Sequence, residues 1–404
     1  MIFKIAWRNI WRSRTRSLVV IGAIIIGVWG VIFLVSFSTG MIKSYIDNAI
    51  RNEISHIQIH QPEFLEDREV KYPLEQGPAI ANTVSDMPGV EAVAMRTLSN
   101  AMISTSNGAR GIVARGIDPT AEAKLTLLNE KVIEGEYLSE KGRNPILISK
   151  TLADKMGVKL RSKVVLTLQD LEGNVINGAF RIVGLYETSN SGADETNVYL
   201  RANNLSDLVN QKELVHEVAI YLNDLNLVDT TVTQLKQAFP GTTVQGYAEI
   251  SPEINLFNSQ IKVSSTIFTV IVMLALIFGI INTMLMAVLE RLRELGMLMS
   301  IGMNKVRVFM MIVLETLLLG LIAAPLGLLF GYTTVQSLGE SGIDLSNWSE
   351  GMRQFGISEV IYPYLENQLY TQLALSVLFT AILASIYPAL KAIRLNPVEA
   401  IRSL

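Results

Sequence analysis

Residues 18–37 read LVVIGAIIIGVWGVIFLVSF, twenty consecutive residues without a charged side chain. At about 1.5 Å per residue, a helix of this length spans about 30 Å, which is the thickness of the hydrocarbon core of a bilayer. The basic residues before it also suit a cleavable signal peptide, but the apolar run is too long and lacks a small-x-small cleavage site. The stretch therefore predicts a first transmembrane helix over residues 17–41.

Three more apolar stretches lie in the last third of the chain and predict transmembrane helices over residues 263–289, 308–337 and 369–390. The second of these carries one acidic residue, Glu315, and one proline, Pro325. The composition agrees, because 18% of the residues are charged against about 25% in an average soluble domain. We therefore expect an α-helical membrane protein with four transmembrane helices.

Lysine and arginine near the span ends predict the orientation, because cytoplasmic segments are enriched in these residues. The amphipathic N-terminal segment 1–16, the loop 290–307 and the tail 391–404 together hold 12 of the 34 basic residues. The loop 338–368 holds one basic residue and five acidic ones. This pattern predicts a multi-pass protein of the cytoplasmic (inner) membrane with both termini in the cytoplasm. Residues 42–262 are then extracytoplasmic, as is the acidic loop.

The long outer segment is expected to form a large α+β domain, inserted between helices 1 and 2 and flanked by helical stalks. Short β-rich runs in it are separated by turn formers such as Asn107-Gly108. One helix is predicted to end at Gly157, and another to begin at a cap on Asn226 and end at Pro240-Gly241. The β-rich runs predict strands at 56–61, 101–106, 110–116, 144–149, 163–169, 180–186 and 217–222.

Several classes of function are disfavoured by what the sequence lacks. It has no cysteine, which excludes disulfides and thiolate chemistry. Its formal net charge of −3 argues against nucleic acid as a partner. It contains no G-x-x-x-x-G-K-[ST], G-x-S-x-G or H-E-x-x-H motif. We therefore expect no catalytic residue, bound nucleotide or cofactor on this chain.

Metal binding is an alternative raised by the three histidines. His56 and His60 are four residues apart, and on a strand this separates them by about 13 Å, too far to share one ion. A satisfied or exposed polar strand face also explains them. No metal site is predicted.

The loop 290–307 is the most informative segment. It opens with alternating charges and continues with apolar residues between two glycines, which predicts a short amphipathic helix at the membrane face. Such a helix could dock in a groove of a partner, with apolar anchors and a charged rim. An interfacial turn between two spans fits the periodicity equally well. The candidate coupling residues are Arg291, Arg293, Glu294, Leu295, Gly296, Met297, Leu298, Ile301 and Gly302.

Polar and small residues inside the spans form a second group of candidates. Glu315 would lie about 12 Å into the membrane on a continuous helix, where an uncompensated carboxylate is costly. We expect it to be protonated or to contact Asn282, Thr283 or another interior polar group, as a packing clamp or in proton coupling. Small residues also permit close helix packing, within the chain or between two copies; they are Gly327 and Gly331 in one span and Gly22, Gly27 and Gly30 in the first.

Two segments closely resemble the signature segments of the MacB/FtsX-like ABC transporter permeases. They are ERLRELGMLMSIGMNKVRV (290–308) and YPALKAIRLNPVEAIR (387–402). The order of the spans is also similar, as are the outer stretches NPILISKTLADKMGV (144–158) and FRIVGLYETSNSGADETNVYL (180–200). Within this family, the size of the outer domain and the lack of a fused ATPase look most like the lipoprotein-releasing (Lol-type) permeases.

The resemblance implies a non-catalytic permease subunit that couples ATP hydrolysis by a separate ABC ATPase to motion of the outer domain. ATP and Mg²⁺ would be bound by that ATPase. The other implied partners are a second permease subunit, in a homo- or heterodimer, and a lipoprotein released from the inner membrane toward the outer membrane. A periplasmic adaptor or chaperone is a further candidate.

Other functions stay open beside this one. A MacB-type efflux permease for peptides or drugs would share the signature segments, and a non-transporting signalling or scaffold protein would share the topology. A membrane-embedded enzyme would need several ionisable residues converging at membrane depth. Glu315 alone does not supply them.

Overall fold

A computed structural model describes residues 2–140 and 142–394 of the chain. In this part the polypeptide forms long helices near both ends and an α+β region between them. The helices are α1 (Ile2–Arg12), α2 (Arg14–Ala49), α3 (Pro62–Asp67), α4 (Gly77–Ser85), α5 (Pro119–Thr126), α6 (Lys150–Met156), α7 (Ser191–Thr196), α8 (Ala202–Val209), α9 (Val228–Ala238), α10 (Tyr247–Ile250), α11 (Pro252–Glu290), α12 (Leu292–Ser300), α13 (Lys305–Ser341), α14 (Ser349–Gln354) and α15 (Asn367–Ile393).

Twelve strands accompany these helices in the described residues. They are β1 (Ile57–His60), β2 (Val90–Thr105), β3 (Gly108–Ile117), β4 (Val132–Gly135), β5 (Pro145–Ser149), β6 (Lys163–Gln169), β7 (Val175–Tyr186), β8 (Asn197–Arg201), β9 (Glu217–Leu222), β10 (Thr243–Gly246), β11 (Ile343–Asp344) and β12 (Val360–Ile361).

By length and composition, four of the described helices can cross a membrane: α2, α11, α13 and α15. The α+β region lies between the first two, so the predicted fold class is confirmed. Helices α2, α11 and α13 have 36, 39 and 37 residues, which corresponds to about 55 Å each and exceeds the bilayer core. They are longer than the apolar stretches because helical periodicity continues into the polar stalk residues.

The chain divides into two compact units. One contains the residues up to 41 together with 258–344 and those from 361 onward; the other contains 42–257 together with 345–360. The first unit is all helical apart from the strand residues at its margins, and its apolar core joins α1, α2, α11, α13 and α15. Residues 345–360 come from the predicted outer loop 338–368, which here contains α14.

Two lobes form the second unit. One lobe is a ring in which each strand pairs with the next in the spatial order β2, β3, β8, β5, β7, β6. Strand β6 also pairs with β2, which closes the ring. The first part of β2 also pairs with β9, from which the sheet continues through β1 to β10. Because β2 belongs to both lobes, Arg96 faces Ile117 of β3 on one side and Glu217 of β9 on the other.

Each lobe has its own hydrophobic core. In the ring, Ile146, Ile148 and Ile182 are fully buried and pack with Leu152 of α6. In the other lobe, Ile57 and Ile59 of β1 alternate inward, as period-two strands require, and pack beneath α4 and α9. Apolar burial of this kind is the main stabilising contribution in a domain without disulfides.

Some local predictions differ from the structure. The seven predicted strands are present, but the short strands β4, β8, β10, β11 and β12 of the described chain were not predicted. The cap predicted at Asn226 is wrong: the side chain of Asp224 accepts a hydrogen bond from the Asn226 amide and caps a 3₁₀ turn, after which α9 begins at Val228. The last residues of the predicted tail, 395–404, lie outside the described part.

Candidate functional site

Helix α12 fills the predicted coupling loop and lies between the second and third spans. It follows directly after α11, with Arg291 as the N-cap. The Gly302 amide donates to the Met299 carbonyl and its backbone has φ +102°, a conformation that favours glycine and ends the helix. Asn304 then caps α13 by accepting a hydrogen bond from the Val306 amide. Gly302 and the Asn304 cap thus end α12 and begin α13, whereas Gly296, which the sequence placed at one end of the helix, lies inside it.

One face of α12 packs inside its own chain. Leu295 is 5% exposed and belongs to the apolar core of the spans, and Gly296 is also buried. Leu298 is half-buried. Met297 and Ile301 are 51% and 83% exposed. Of the apolar residues proposed as anchors for a partner, Leu295 therefore serves the fold, whereas Met297 and Ile301 are available.

The charged residues of the loop divide in the same way. Arg12 of α1 donates two hydrogen bonds to the Glu294 carboxylate, at 2.6 and 2.9 Å. Arg16 of α2 forms an ion pair with Glu290 at the end of α11. Arg293 is exposed. Two ion pairs thus join the first two helices to the coupling loop, and Arg293 is left at the surface.

Arg291 holds the buried carboxylate of Glu315. Its Nη1 lies 3.2 Å from Oε1 of Glu315, whose side chain is 9% exposed. Its Nη2 donates to the Asn9 carbonyl of α1 at 3.0 Å. One guanidinium therefore connects α1, α12 and α13, and it compensates the carboxylate that the sequence placed at membrane depth.

The other predicted partners of Glu315 lie elsewhere. The Thr283 hydroxyl donates to the Gly279 carbonyl one turn earlier in its own helix, and Asn282 is exposed. Among the contacts of the described residues, neither bonds to Glu315. The depth of Glu315 in the span predicts a polar partner but does not identify it, since Arg291 lies 24 residues earlier, in the loop before α13.

A cavity of about 320 Å³ opens beside this network. Its wall includes Asn9 and Arg12 of α1, Leu298 of α12, Ile301 directly after α12, and Glu315 of α13. The cavity shows that α12 is not packed tightly along its whole length.

The small residues of the spans pack within the chain at three positions. A Cβ atom on Gly327 would lie 2.9 Å from Cβ of Val28, and one on Gly331 would clash with Ile32. The G-x-x-x-G of α13 therefore faces α2 of the same chain. Gly27 faces Leu276, whereas Gly22 and Gly30 have open space around them in the described chain.

A second site lies where the first stalk enters the outer unit, and the sequence analysis missed it. Helix α2 ends in a π-helical turn at Ile50–Ile54. Arg115 of β3 donates to the Glu53 carbonyl at 3.3 Å, and Arg96 lies 3.5 Å from the same oxygen. Lys131 donates to the Asn52 side chain at 2.5 Å and lies 3.4 Å from the Arg51 carbonyl.

Three cations thus converge on the C-terminal end of the stalk helix, where the helix dipole and the unpaired carbonyls favour positive charge. We name Arg96, Arg115 and Lys131 the stalk-end cations. Burial lowers the pKa of Lys131 to about 8. The sequence indicates this site only through one arginine in each of two apolar strands, Arg96 in β2 and Arg115 in β3, at positions that are buried.

Arg96 is also the centre of a buried ion cluster between the two lobes. It donates to Glu122 at 2.7 and 3.0 Å and to Glu217 at 2.6 Å. Burial by itself would lower the pKa of Arg96, but the two carboxylates raise it. Burial would likewise raise the pKa of Glu217, but Arg96 lowers it. The charges are therefore compensated, as buried ions require.

The histidines are buried in the same region and are hydrogen-bonded. The Leu98 amide donates to Nδ1 of His216, and Nε2 of His216 lies 2.9 Å from the Val70 carbonyl. Burial lowers the pKa of His56 and His216 to about 4. No group of three or more potential metal ligands occurs among the described residues.

The described residues combine a large α+β domain between the first two of four spans with an ion-paired amphipathic helix between the second and third. Residues 17–238 match the MacB-like periplasmic core domain, and residues 266–397 match the FtsX-like permease C-terminal region. The chain belongs to the MacB/FtsX-like permease family. It is a multi-pass membrane protein with a periplasmic domain, and a non-catalytic transmembrane component of an ABC transporter.

Relatives within the family are similar at low identity. An ABC transporter permease protein of Mycobacterium tuberculosis is 27% identical over 304 residues, which cover 73% of this chain and 34% of that protein. The lipoprotein-releasing system transmembrane protein LolC of Xylella fastidiosa is 24% identical, covering 71% of this chain and 72% of LolC. The macrolide export ATP-binding/permease protein MacB of a Shewanella species is 23% identical, covering 99% of this chain and 60% of MacB.

The chain thus spans about a third of the M. tuberculosis relative and somewhat under two thirds of this MacB. LolC and MacB are similar to it at nearly the same identity. The comparisons therefore establish the family, and they do not favour the Lol type over the MacB type.

Proposed function

We propose that the chain couples ATP hydrolysis by a separate ABC ATPase subunit to movement of its periplasmic domain, and that the transported cargo is a lipoprotein released from the inner membrane. The proposal is supported mainly by α12. This helix presents Arg293, Met297 and Ile301 at the surface, while ion pairs hold its other side to α1 and α13. A partner that moves α12 would therefore move the spans with it.

The long helices support mechanical coupling. Helix α2 runs without interruption from Arg14 to Ala49 and ends among the stalk-end cations. A continuous helix of this length can carry axial displacement from one end to the other, because backbone hydrogen bonds join each turn to the next. Within the described spans, the buried carboxylate of Glu315 is paired with Arg291.

Purification of a tagged chain in mild detergent tests the coupling proposal. We expect a co-purifying subunit with a Walker A motif. The substitutions Met297→Asp and Ile301→Asp should release it, because both side chains are exposed and their replacement leaves the core intact. Phe355→Asp, at a comparable exposure of 65% in the other unit, is the matched control and should retain it. Retention of the ATPase by all three variants would refute the role of α12.

Orientation is part of the same proposal and has its own test. In this cysteine-free chain, a single cysteine at the exposed position Glu172 should react with a membrane-impermeant maleimide in intact cells. A cysteine at the exposed position Lys305 should react only after the membrane is permeabilised. The reverse result would place both termini outside.

Depletion of the chain in cells distinguishes the cargo. If lipoproteins are the cargo, they should accumulate in the inner-membrane fraction. An unchanged lipoprotein distribution with increased sensitivity to peptides or drugs would favour a MacB-type efflux role. Neither effect, together with the absence of a bound ATPase, would favour a signalling or scaffold role.

A further inference from the structure

We propose that α1 is a binding surface for anionic phospholipids and that it recognises their headgroups through Lys4 and Arg8. The helix has three faces. Ala6 and Ile10 are 0% and 1% exposed and pack into the apolar core of the spans. This buried face fixes which of the other residues point away from the protein.

An aromatic stripe occupies the second face. Phe3, Trp7 and Trp11 are spaced by four residues and are 56%, 41% and 49% exposed. The rings of Trp7 and Trp11 pack edge to face with centroids 6.1 Å apart. Three large aromatic side chains in one exposed row are costly in water, whereas tryptophan is enriched at the membrane–water interface.

A basic stripe lies next to the aromatic one. Lys4 and Arg8 are exposed and also four residues apart, so they share a face that is adjacent to the tryptophans. The sequence contains no acidic residue before Asp47. Among the described residues, no carboxylate lies within ion-pair distance of Lys4 or Arg8, whereas Arg12 and Arg16 are paired with Glu294 and Glu290.

The helix is held in a fixed orientation against the spans. The Ser17 hydroxyl donates to the Ile10 carbonyl at 2.7 Å across the corner between α1 and α2. The aromatic and basic stripes are therefore presented together and cannot rotate independently. In this orientation the aromatic rings can lie at the boundary of the acyl chains while Lys4 and Arg8 lie at the depth of the headgroups. Anionic headgroups attract lysine and arginine, so this arrangement suits a bilayer that contains anionic lipid.

Tryptophan quenching tests the proposal on the chain alone, without an ATPase. The chain has four tryptophans, and Trp29→Phe with Trp348→Phe leaves Trp7 and Trp11 as reporters. Two nanodisc preparations contain the same mixture of phosphatidylglycerol and phosphatidylcholine. In one preparation the acyl chains of phosphatidylglycerol carry bromine, and in the other the acyl chains of an equal mole fraction of phosphatidylcholine carry it. We expect at least about twofold stronger quenching when the bromine is on phosphatidylglycerol.

The double substitution Lys4→Gln/Arg8→Gln should make the two quenching values equal, while Lys305→Gln/Arg307→Gln removes the same charge elsewhere and should keep the preference. Equal quenching by both lipids in the unsubstituted reporter chain would overturn the proposal. So would the absence of quenching by either lipid, since the aromatic face would then be covered by protein. Because no nucleotide is involved, these outcomes are independent of the proposed coupling function.

Discussion

Arg12 and Glu294 form a bidentate ion pair between α1 and α12, with nitrogen-to-oxygen distances of 2.6 and 2.9 Å. The pair is exposed, so we expect it to contribute under about 1 kcal/mol to stability. Its importance lies in orientation, because it fixes the coupling helix against α1. We predict that Glu294→Arg lowers cargo-dependent stimulation of the ATPase several-fold without changing the thermal midpoint by more than about 2 °C.

The charge-swapped chain Arg12→Glu/Glu294→Arg provides the control for this prediction. The swap restores the attraction and should recover most of the stimulation. ATPase assays on the reconstituted complex measure the effect. If the single and double variants are equally impaired, the ion pair is not what positions α12.

Removal of either partner of the Arg291–Glu315 pair should be far more damaging. Loss of one charge leaves the other buried without compensation, which costs about 3–5 kcal/mol. We expect Glu315→Ala and Arg291→Ala to lower the thermal midpoint in detergent by at least 5 °C. The paired replacement Arg291→Met/Glu315→Leu should restore much of it, because both charges are then gone.

Transport by the doubly apolar variant distinguishes a packing clamp from proton coupling at Glu315. A clamp predicts that the variant transports whenever it is stable. A variant with the parent midpoint and no transport would show that the carboxylate itself is required.

Glycine substitutions should separate intrachain packing from contacts between copies. At Gly327, a valine would place Cβ 2.9 Å from Val28, and we expect overpacking to cost about 1–3 kcal/mol. Gly30 has no neighbour within 4 Å, so Gly30→Val should leave the isolated chain stable. A shift of Gly30→Val from dimer to monomer, measured by light scattering, would identify this side of α2 as the contact between subunits. An unstable Gly30→Val chain would contradict the described packing.

The stalk-end cations should affect transmission more than stability. We predict that Lys131→Met keeps basal ATPase activity in the complex but reduces cargo transport per ATP hydrolysed by at least about threefold. Lys124→Met removes an exposed lysine from nearby α5 and should be neutral. Partial rescue by Lys131→Arg is expected, since the cation is restored. An unchanged transport-to-hydrolysis ratio in Lys131→Met would rule out a role in transmission.

His216 should make the protein less stable in acid. Its pKa is lowered by burial to about 4, against 6.5 for an unfolded chain. Between these values the unfolded state binds more protons, so the stabilising contribution is complete above about pH 6.5 and is lost as the pH falls toward 4. The loss amounts to about 3 kcal/mol over that range. Thermal midpoints measured at several pH values should fall less steeply with decreasing pH in His216→Asn than in the parent chain. Equal pH dependence in the two chains would mean that the pKa of His216 is not lowered in the folded state.

Local chemistry in the sequence determined the membrane class and most of the strands. Twenty uncharged residues cannot be placed stably except in a bilayer or a large core, and this decided the first span without reference to any other residue. The β-rich composition of runs such as 217–222 likewise predicted strands directly. The glycine at 302 marked the end of a short helix, whereas Gly296, which the sequence placed at its other end, lies inside α12.

Tertiary structure alone decided which charges meet. Arg12 and Glu294 are separated by 282 residues and Arg96 and Glu217 by 121, and no periodicity relates positions so far apart. Their contact depends on how α1 packs on the spans and on β2 pairing with both lobes. Tertiary packing also decides why Leu295 is buried and Ile301 is exposed. The sequence of this segment has apolar residues on more than one side, and only the packing of α12 on the spans determines which of them are buried.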